Sequence, residues 1–250
     1  MKGLNVMRSL LAVVACLPSL VLAASGHVAL DRAPIDTYDV ASLQRGAKVF
    51  VNYCLNCHSA SYMRYNRLQD LGLTEQQIKD NLMFAGEKVG DPMTVAMKAK
   101  DAKNWFGGQP PDLSVISRSR GADWLYTYLR TYYRDESRAT GWNNVAFPSV
   151  GMPHVLWELQ GQQVLEEHKS EEGKEAHGGH AAPKLVLAQA GQLTPKQYDA
   201  LVADLVNYLV FMGEPAQAKR SQLGILVLLF LGVAFIVAYL IKKDYWRDIH

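Results

Sequence analysis

Two cysteines and a histidine at close spacing are the residues of this chain best placed to do chemistry. The stretch Cys54-Leu55-Asn56-Cys57-His58 has the pattern C-x-x-C-H. Two thiols one helical turn apart can add to the two vinyl groups on one edge of a porphyrin, and the adjacent imidazole then lies under the iron. The pattern therefore predicts one covalent haem c, attached through Cys54 and Cys57, with His58 as an axial ligand of the iron.

Two other kinds of site use a similar pair of cysteines. A thioredoxin-type redox pair normally accompanies a βαβ unit, and the pattern around Cys54 does not alternate strands with helices in this way. A zinc site needs two further ligands at a suitable spacing. We keep both as alternatives and expect haem c.

The second axial ligand must reach the iron from the face opposite His58, and a separate loop does this better than a residue beside the motif. Met152 lies in Gly151-Met152-Pro153, where glycine permits close approach and proline holds an extended path. We therefore predict Met152 as the second axial ligand, which favours reduced iron and raises the potential relative to two histidines. The alternatives are His154, Met93 and Met97.

The first 24 residues have the features of a secretory signal. Lys2 and Arg8 form a basic region before the apolar stretch 10–22, and small residues follow that stretch. The stretch is too short and interrupted to span a bilayer well. Its removal leaves Cys54 and Cys57 as the cysteines of the mature chain, and export suits a haem that is attached outside the cytoplasm. A lipoprotein processing site at Cys16 is an alternative.

A second apolar stretch lies near the other end of the chain. Residues 223–241 are 19 residues without a charge, and as a helix they span about 28 Å, close to the hydrocarbon thickness of a bilayer. The formal net charge of +2 argues against a nucleic-acid partner. The predicted organisation is a signal peptide at 1–24, an exported domain at 25–220, a transmembrane helix at 221–241 and a cytoplasmic tail at 242–250.

Helical periodicity leads directly into the C-x-x-C-H motif. Ser42 can cap a helix whose apolar positions recur at three- to four-residue spacing. Gly46 within this helix is unfavourable by about 1 kcal/mol relative to alanine, so we expect it to permit close approach of another helix.

Further helices are predicted along the chain. Thr74 with Gln77 forms a capping box, and Thr194 followed by Pro195 opens a helix with a broad apolar face. An aromatic helix is expected from Trp124 to about Arg134.

Residues 158–192 change in composition to glutamine, glutamate, lysine, glycine and histidine. We interpret this segment as an exposed, flexible insert. Its glutamates could attract a basic redox partner. A metal site at His168, His177 and His180 is an alternative to a solvated loop.

Several segments together resemble the cytochrome c1 family. They are Leu43-Gln44-Arg45-Gly46 with the C-x-x-C-H motif, Pro110-Pro111-Asp112-Leu113-Ser114 after Asn104, Phe147-Pro148 with Gly151-Met152-Pro153, and Asp204-Leu205-Val206-Asn207-Tyr208-Leu209. The resemblance runs from about residue 42 to residue 246. It implies an all-α, class I cytochrome c-like haem domain with long loop insertions and one C-terminal transmembrane helix.

The resemblance also implies roles for particular residues. Asn104 and Pro111 would lie at the porphyrin edge, and Arg120, with Arg118 as second choice, would serve a haem propionate. The last helix of the domain would pack across the helix that leads into the motif, so that Gly46 and Phe50 meet Tyr208. The proline pair can also place Asp112 or Ser114 at the start of the next helix.

The implied function is electron transfer. Within the cytochrome bc1 (quinol–cytochrome c reductase) complex the chain would pass electrons from the Rieske iron–sulfur protein to a soluble cytochrome c. Cytochrome b would be its other partner, in a dimeric complex, with the haem domain in the periplasm and the anchor in the inner membrane. If two side chains fill both axial positions, we expect no substrate-turnover site on this chain. The alternatives are a tethered cytochrome c that serves a terminal oxidase, a haem peroxidase and a haem sensor.

Overall fold

The computed structural model describes residues 28–95, 97–166 and 184–247. The helices in this part of the chain are α1 (Val40–Val49), α2 (Glu75–Asn81), α3 (Ala99–Phe106), α4 (Ile116–Arg120), α5 (Ala122–Arg130), α6 (Trp157–Gln160), α7 (Pro195–Gly213) and α8 (Gln217–Tyr245). The strands are β1 (Ala60–Arg64), β2 (Pro92–Met93), β3 (Tyr132–Arg134), β4 (Trp142–Asn144), β5 (Gly161–Glu166) and β6 (Lys184–Ala190). The predicted signal peptide at 1–24 and the last three residues lie outside this description.

Helix α1 carries the chain into the cysteine motif. Asp39 caps it by accepting a hydrogen bond from the backbone N–H of Ser42 at 3.0 Å, so the prediction of Ser42 as the cap was wrong by three residues. The Ser42 hydroxyl instead accepts a hydrogen bond from the side chain of Asn207 at 3.0 Å. A π-helical turn, Phe50–Cys54, follows α1 and delivers the first cysteine.

Helix α7 supplies the largest apolar surface of the domain. The predicted cap is confirmed, because Thr194 and Gln197 form a capping box and Pro195 occupies the first turn. The capping box of Thr74 and Gln77 at the start of α2 is confirmed as well. Much of α7 is buried, which makes it the element against which α1, α4 and α5 pack.

Helices α1 and α7 touch backbone to backbone at Gly46. A Cβ atom at Gly46 would lie 2.0 Å from the carbonyl oxygen of Asp204 and 2.7 Å from the Cβ of Tyr208. The rings of Phe50 and Tyr208 meet at a centroid distance of 5.5 Å. The expected contact of Gly46 and Phe50 with Tyr208 is therefore confirmed.

The two helices run antiparallel. Leu43, near the start of α1, and Phe211, near the end of α7, line one cavity. Tyr53, beside the cysteines, and Gln197, near the start of α7, line another. Since 14 residues of helix measure roughly 20 Å, the cysteines lie about that far from the end of the domain where α7 leads into α8.

The expectation of an all-α fold is not confirmed, because the described residues form three two-stranded antiparallel sheets beside the helices: β1 with β2, β3 with β4, and β5 with β6. The aromatic helix ends at Arg130 rather than near Arg134. Its last turn is stopped by Asn144, whose side-chain N–H donates to the carbonyl of Tyr128 at 2.7 Å. The aromatic residues that follow suit a strand, and β3 pairs with β4.

The insert at 158–192 has two structured arms. Helix α6 and the hairpin of β5 and β6 account for much of it, so the expectation of a loop throughout was wrong for the arms. Gln163 fastens the hairpin to the domain by donating to the carbonyls of Arg130 and Tyr132 at 3.0 and 2.9 Å. Residues 167–183 lie outside the description, and with them His168, His177 and His180.

Helix α8 is long and apolar enough to cross a membrane. Within its 26 residues Arg220–Tyr245, an 18-residue window has a mean hydropathy of 2.9, and none of that window is buried against the rest of the chain. An exposed helix of this kind needs an apolar surrounding, which a bilayer supplies.

The contact at Gly46 gives the first prediction. Gly46→Ala should lower the free energy of unfolding of the detergent-solubilised chain by about 2 kcal/mol or more, because the new methyl group must push α1 and α7 apart. Gly90→Ala is the control, since a Cβ atom there meets nothing within 4 Å. Denaturant unfolding of both variants is the measurement, and equal stabilities would contradict the packing role of Gly46.

Candidate haem site

A cleft separates the C-x-x-C-H motif from the loop that contains Met152. It has a cavity volume of about 180 Å³ and is open to solvent on one side. Five of the predicted site residues line it: Cys54, Cys57, His58, Pro111 and Met152. The remaining lining residues are Tyr53, Phe106, Gly108, Gln109, Pro110, Gly151, Pro153 and Val155.

The imidazole of His58 has a defined orientation. Its Nδ1 lies 2.7 Å from the carbonyl oxygen of Pro111. A carbonyl only accepts, so Nδ1 donates its proton and Nε2 keeps a free lone pair. Burial of the ring lowers the pKa of His58, although the Pro111 carbonyl opposes this. The neutral ring with a free Nε2 is the form in which histidine binds a metal.

The proline loop is fastened to the motif by backbone and carboxylate contacts. Leu113 N–H donates to the carbonyl of Ser59 at 2.8 Å. The carboxylate of Asp112 accepts from the N–H groups of Ser61 and Ser114 at 2.9 and 2.8 Å. The expectation that Asp112 or Ser114 caps the next helix was therefore wrong, because α4 begins after Val115 without a side-chain cap.

The two cysteines differ in exposure. Cys54 is buried and Cys57 is partly exposed. Burial raises the pKa of the Cys54 thiol to about 12 and also raises that of Cys57. A redox-active C-x-x-C pair needs a cysteine with a lowered pKa. The environment therefore argues against the thioredoxin-type alternative.

Met152 is half-buried at the cleft and has one polar neighbour. Its sulfur accepts a hydrogen bond from the hydroxyl of Tyr128 at 3.4 Å. The hydroxyls of Tyr128 and Tyr132 lie 2.5 Å apart. Since Tyr128 uses its proton for the sulfur, Tyr132 donates to Tyr128. Burial raises the pKa of Tyr128, so this hydroxyl remains a donor at neutral pH.

Two consecutive asparagines hold the loop that leads to Met152. The side-chain oxygen of Asn144 accepts from the N–H groups of Ala146 and Phe147 at 2.9 and 3.0 Å. That of Asn143 accepts from the N–H of Ser149 at 2.9 Å. Because Asn144 also binds the carbonyl of Tyr128, the loop is tied to the helix whose tyrosine contacts Met152.

The alternative ligands lie outside the cleft. His154 is buried, and its ring stacks on Tyr132 with centroids 4.7 Å apart. Burial lowers the pKa of His154 to about 4. Met93 is fully buried beside the hydroxyl of Tyr208, and Met97 lines a neighbouring cavity. Among the methionines and histidines of the described chain, the cleft brings Met152 and His58 together.

Asn104 and Arg120 are not part of the cleft lining. Asn104 is exposed on α3. The guanidinium of Arg120 lies over the rings of Trp124 and Phe147, at 4.9 and 5.7 Å from their centroids. Trp124 in turn stacks on Tyr128 at 4.7 Å. Arg118 lies beside Gly213 at the far end of α7.

Comparison with known proteins places the chain in a family. The Cytochrome C1 family model matches residues 31–249. The chain is 50% identical over 247 residues (99% of this chain, 100% of the relative) to the ammonia monooxygenase gamma subunit of Nitrosomonas europaea. It is 50% identical over 234 residues (93% and 95%) to cytochrome c1 of Allochromatium vinosum, and 31% identical over 245 residues (85% and 83%) to cytochrome c1 of Rhodospirillum rubrum. The chain therefore belongs to the Cytochrome C1 family, and its cofactor is haem c.

Proposed function

We propose that Cys54 and Cys57 bind haem c covalently in the cleft and that His58 and Met152 are its two axial ligands. The observation that carries the proposal is the hydrogen bond from His58 Nδ1 to the Pro111 carbonyl, which leaves Nε2 free in the same cleft as the Met152 sulfur. When bound, haem c supplies a one-electron Fe(II)/Fe(III) couple. Arg120 and Asn104 stay predictions for the propionate side of the site.

The residues around the cleft determine what that couple does. With an imidazole and a thioether as ligands, no coordination position is open to a substrate, unlike the site of a peroxidase. Tyr53, Phe106 and Val155 make the lining largely apolar and so reduce the access of water. The chain is thus an electron carrier, and a substrate-turnover site is not expected on it.

We infer that the chain is the electron-transfer haem subunit of a cytochrome bc1 complex. Its donor would be the Rieske iron–sulfur protein, its acceptor a soluble cytochrome c, and cytochrome b its other partner in a dimeric complex. Helix α8 would anchor the domain in the inner membrane, with the haem domain in the periplasm and 242–250 in the cytoplasm. The family match, the apolar helix and the predicted signal at 1–24 support this arrangement.

The partners can be identified by purification. Affinity purification of the tagged chain from detergent-solubilised membranes should yield a Rieske-type iron–sulfur protein and a b-type cytochrome. Mass spectrometry and the reduced optical spectrum are the measurements. Co-purification with a terminal oxidase would contradict this assignment. So would co-purification with monooxygenase subunits, which the name of the Nitrosomonas relative suggests for that protein.

Replacement of Met152 tests the axial ligand. Met152→Leu should leave haem attached but free one axial position, so that the reduced protein binds carbon monoxide while the wild type does not. Met93→Leu is the matched control, because Met93 is fully buried away from the cleft. Optical titration with carbon monoxide is the measurement. If the Met152 variant gave the wild-type spectrum and bound no carbon monoxide, another residue would be the ligand.

The hydroxyl of Tyr128 should raise the midpoint potential. A hydrogen bond to the thioether withdraws electron density from it and disfavours oxidised iron. Tyr128→Phe should lower the potential by tens of millivolts, since about 1 kcal/mol corresponds to roughly 40 mV for one electron. Tyr126→Phe, on the same helix, should leave it unchanged. Redox titration of both variants decides, and equal potentials would exclude this role for Tyr128.

A further inference from the structure

The border of the haem cleft has a basic surface around helix α3. We infer that this surface, formed by Lys98, Lys100, Lys103 and Trp105 and here called the rim patch, docks a soluble one-electron acceptor that has an acidic surface. The inference rests on the proposed function, because it concerns the acceptor of the same electron. It specifies the acceptor by its charge.

The rim patch lies next to both segments that hold the predicted haem ligands. Phe106, at the end of α3, lines the cleft, and its carbonyl oxygen lies 3.4 Å from the Cβ position of Gly151, beside Met152. At the other side, Met97 and Ala102 line a small cavity together with Cys57. A protein bound on α3 would therefore lie at the edge of the cleft.

The lysines of the rim patch are free to attract a partner. All three are exposed, and within the described chain none of them has an ion pair. Two other cations of the domain are paired: Arg45 with Asp204 at 2.6 Å, and Arg130 with Asp199 at 2.6 Å. An uncompensated local charge produces a field that steers association.

The acidic groups near the patch compensate it only in part. Asp101, within α3, is one carboxylate against three ammonium groups. Asp112, which borders the neighbouring small cavity, is a second carboxylate, so the two acids leave one of the three lysine charges uncompensated. The surface therefore remains positive.

Trp105 adds an apolar contact to the charged surface. Its side chain is 66% exposed and meets the ring of Phe106 edge-on at 6.4 Å. Exposed tryptophan is unfavourable in water, and tryptophan is enriched among the residues that dominate interfaces. Trp105 thus adds an exposed aromatic side chain to a helix whose lysines carry unpaired charge, and both features are typical of a surface that binds another protein briefly.

The position of the patch suits a partner from solution. The cysteines lie roughly 20 Å along α1 from the end where the anchor begins. Met97 and Ala102, next to the patch residues in sequence, line a cavity with Cys57, so α3 lies toward the end of the domain remote from α8. A soluble partner can therefore reach the patch without being bound to the membrane.

The positive charge of the rim patch favours an acidic partner, whereas the glutamates of the insert suggested a basic one. Those glutamates could attract a basic partner, but Glu166 is the one within the described part of the acidic cluster, and it pairs with Lys184 at 2.7 Å. The lysines of the rim patch, in contrast, lie beside the cleft itself. The geometry thus favours an acidic acceptor over a basic one.

The electron balance of the step is simple. One electron passes from the reduced protein to the oxidised acceptor, which is reduced by one electron, and no bond is formed or broken. Docking therefore sets the rate at low acceptor concentration, and charge acts on the association rate constant.

Stopped-flow oxidation of the haem-loaded, full-length chain in detergent tests the inference. The chain is reduced with ascorbate and mixed with an acidic or a basic soluble cytochrome c, at low and at high ionic strength. The test variant carries Lys98→Gln, Lys100→Gln and Lys103→Gln. The control carries Arg32→Gln, Lys88→Gln and Lys196→Gln, which remove the same charge from exposed positions outside α3 and the cleft lining. The optical spectrum and the potential are recorded for each.

With the acidic cytochrome, the test variant should react about tenfold more slowly than the wild type at low ionic strength. The control variant should be slowed by less than half as much. The difference should vanish in high salt, where the Debye length falls to about 3 Å. Trp105→Ala should slow the reaction about fivefold at both ionic strengths.

Two results would overturn the inference. One is an equal loss of rate in the test and control variants, which would mean that total charge alone matters. The other is faster oxidation by the basic cytochrome, with a rate that falls as salt is added. Neither result depends on Met152 being the axial ligand. If Met152 were not the ligand, the carbon monoxide titration of Met152→Leu would show it.

Discussion

The close contact between α1 and α7 at Gly46 determines how the site is built. Because the two backbones touch there, α1 has one direction and one register relative to the longest buried helix of the domain. The motif follows α1 directly, so the crossing also determines where Cys54 and His58 lie. The Phe50–Tyr208 contact and the ion pair of Arg45 with Asp204 lie beside it and reinforce the same register. A side chain at position 46 would displace all of these contacts at once.

The rest of the site is held by polar groups of short loops rather than by helices. On the side of the motif, the carbonyl of Pro111 sets the tautomer of His58, and Asp112 fastens the proline loop to the segment after the motif. On the side of Met152, Asn143 and Asn144 bind successive N–H groups of the loop. Both loops lack regular structure of their own, and buried or partly buried hydrogen bonds give them a defined shape. The cleft therefore depends on a few side chains that are not themselves candidates for binding iron.

Features that depend on nearby residues were predictable from the sequence, and features that depend on distant contacts were not. The capping boxes at Thr74 and Thr194 follow from local rules, and both are present. Gly46 is the exception among distant contacts, because a glycine inside a helical pattern indicates close approach by another element. The strands were missed because they are short, and tertiary contacts decide their pairing: Asn144 stops α5 from 14 residues away. The contact between Tyr128 and Met152 was not predicted, since periodicity does not show which hydroxyl meets a sulfur from another loop. The place of Arg120 over Trp124 depends likewise on how α4 meets α5.

When both axial positions of the iron are filled, the protein surface rather than the iron determines which partner reacts. If two side chains occupy the axial positions, selectivity between reaction partners cannot arise from ligand binding to the metal, and it must arise from who docks beside the cleft. The chain as a whole has a formal net charge of only +2, so its average field distinguishes partners poorly. The sign of the charge beside the cleft determines the choice of partner instead, because screening limits the range of exposed charges to about 8–10 Å at physiological salt. Lysines of α3 lie in an element that borders the cleft, whereas Glu166, the described glutamate of the insert's acidic cluster, lies in strand β5 of a separate hairpin. For a carrier of this construction, the charge nearest the cleft has more influence on partner choice than the larger cluster farther along the chain.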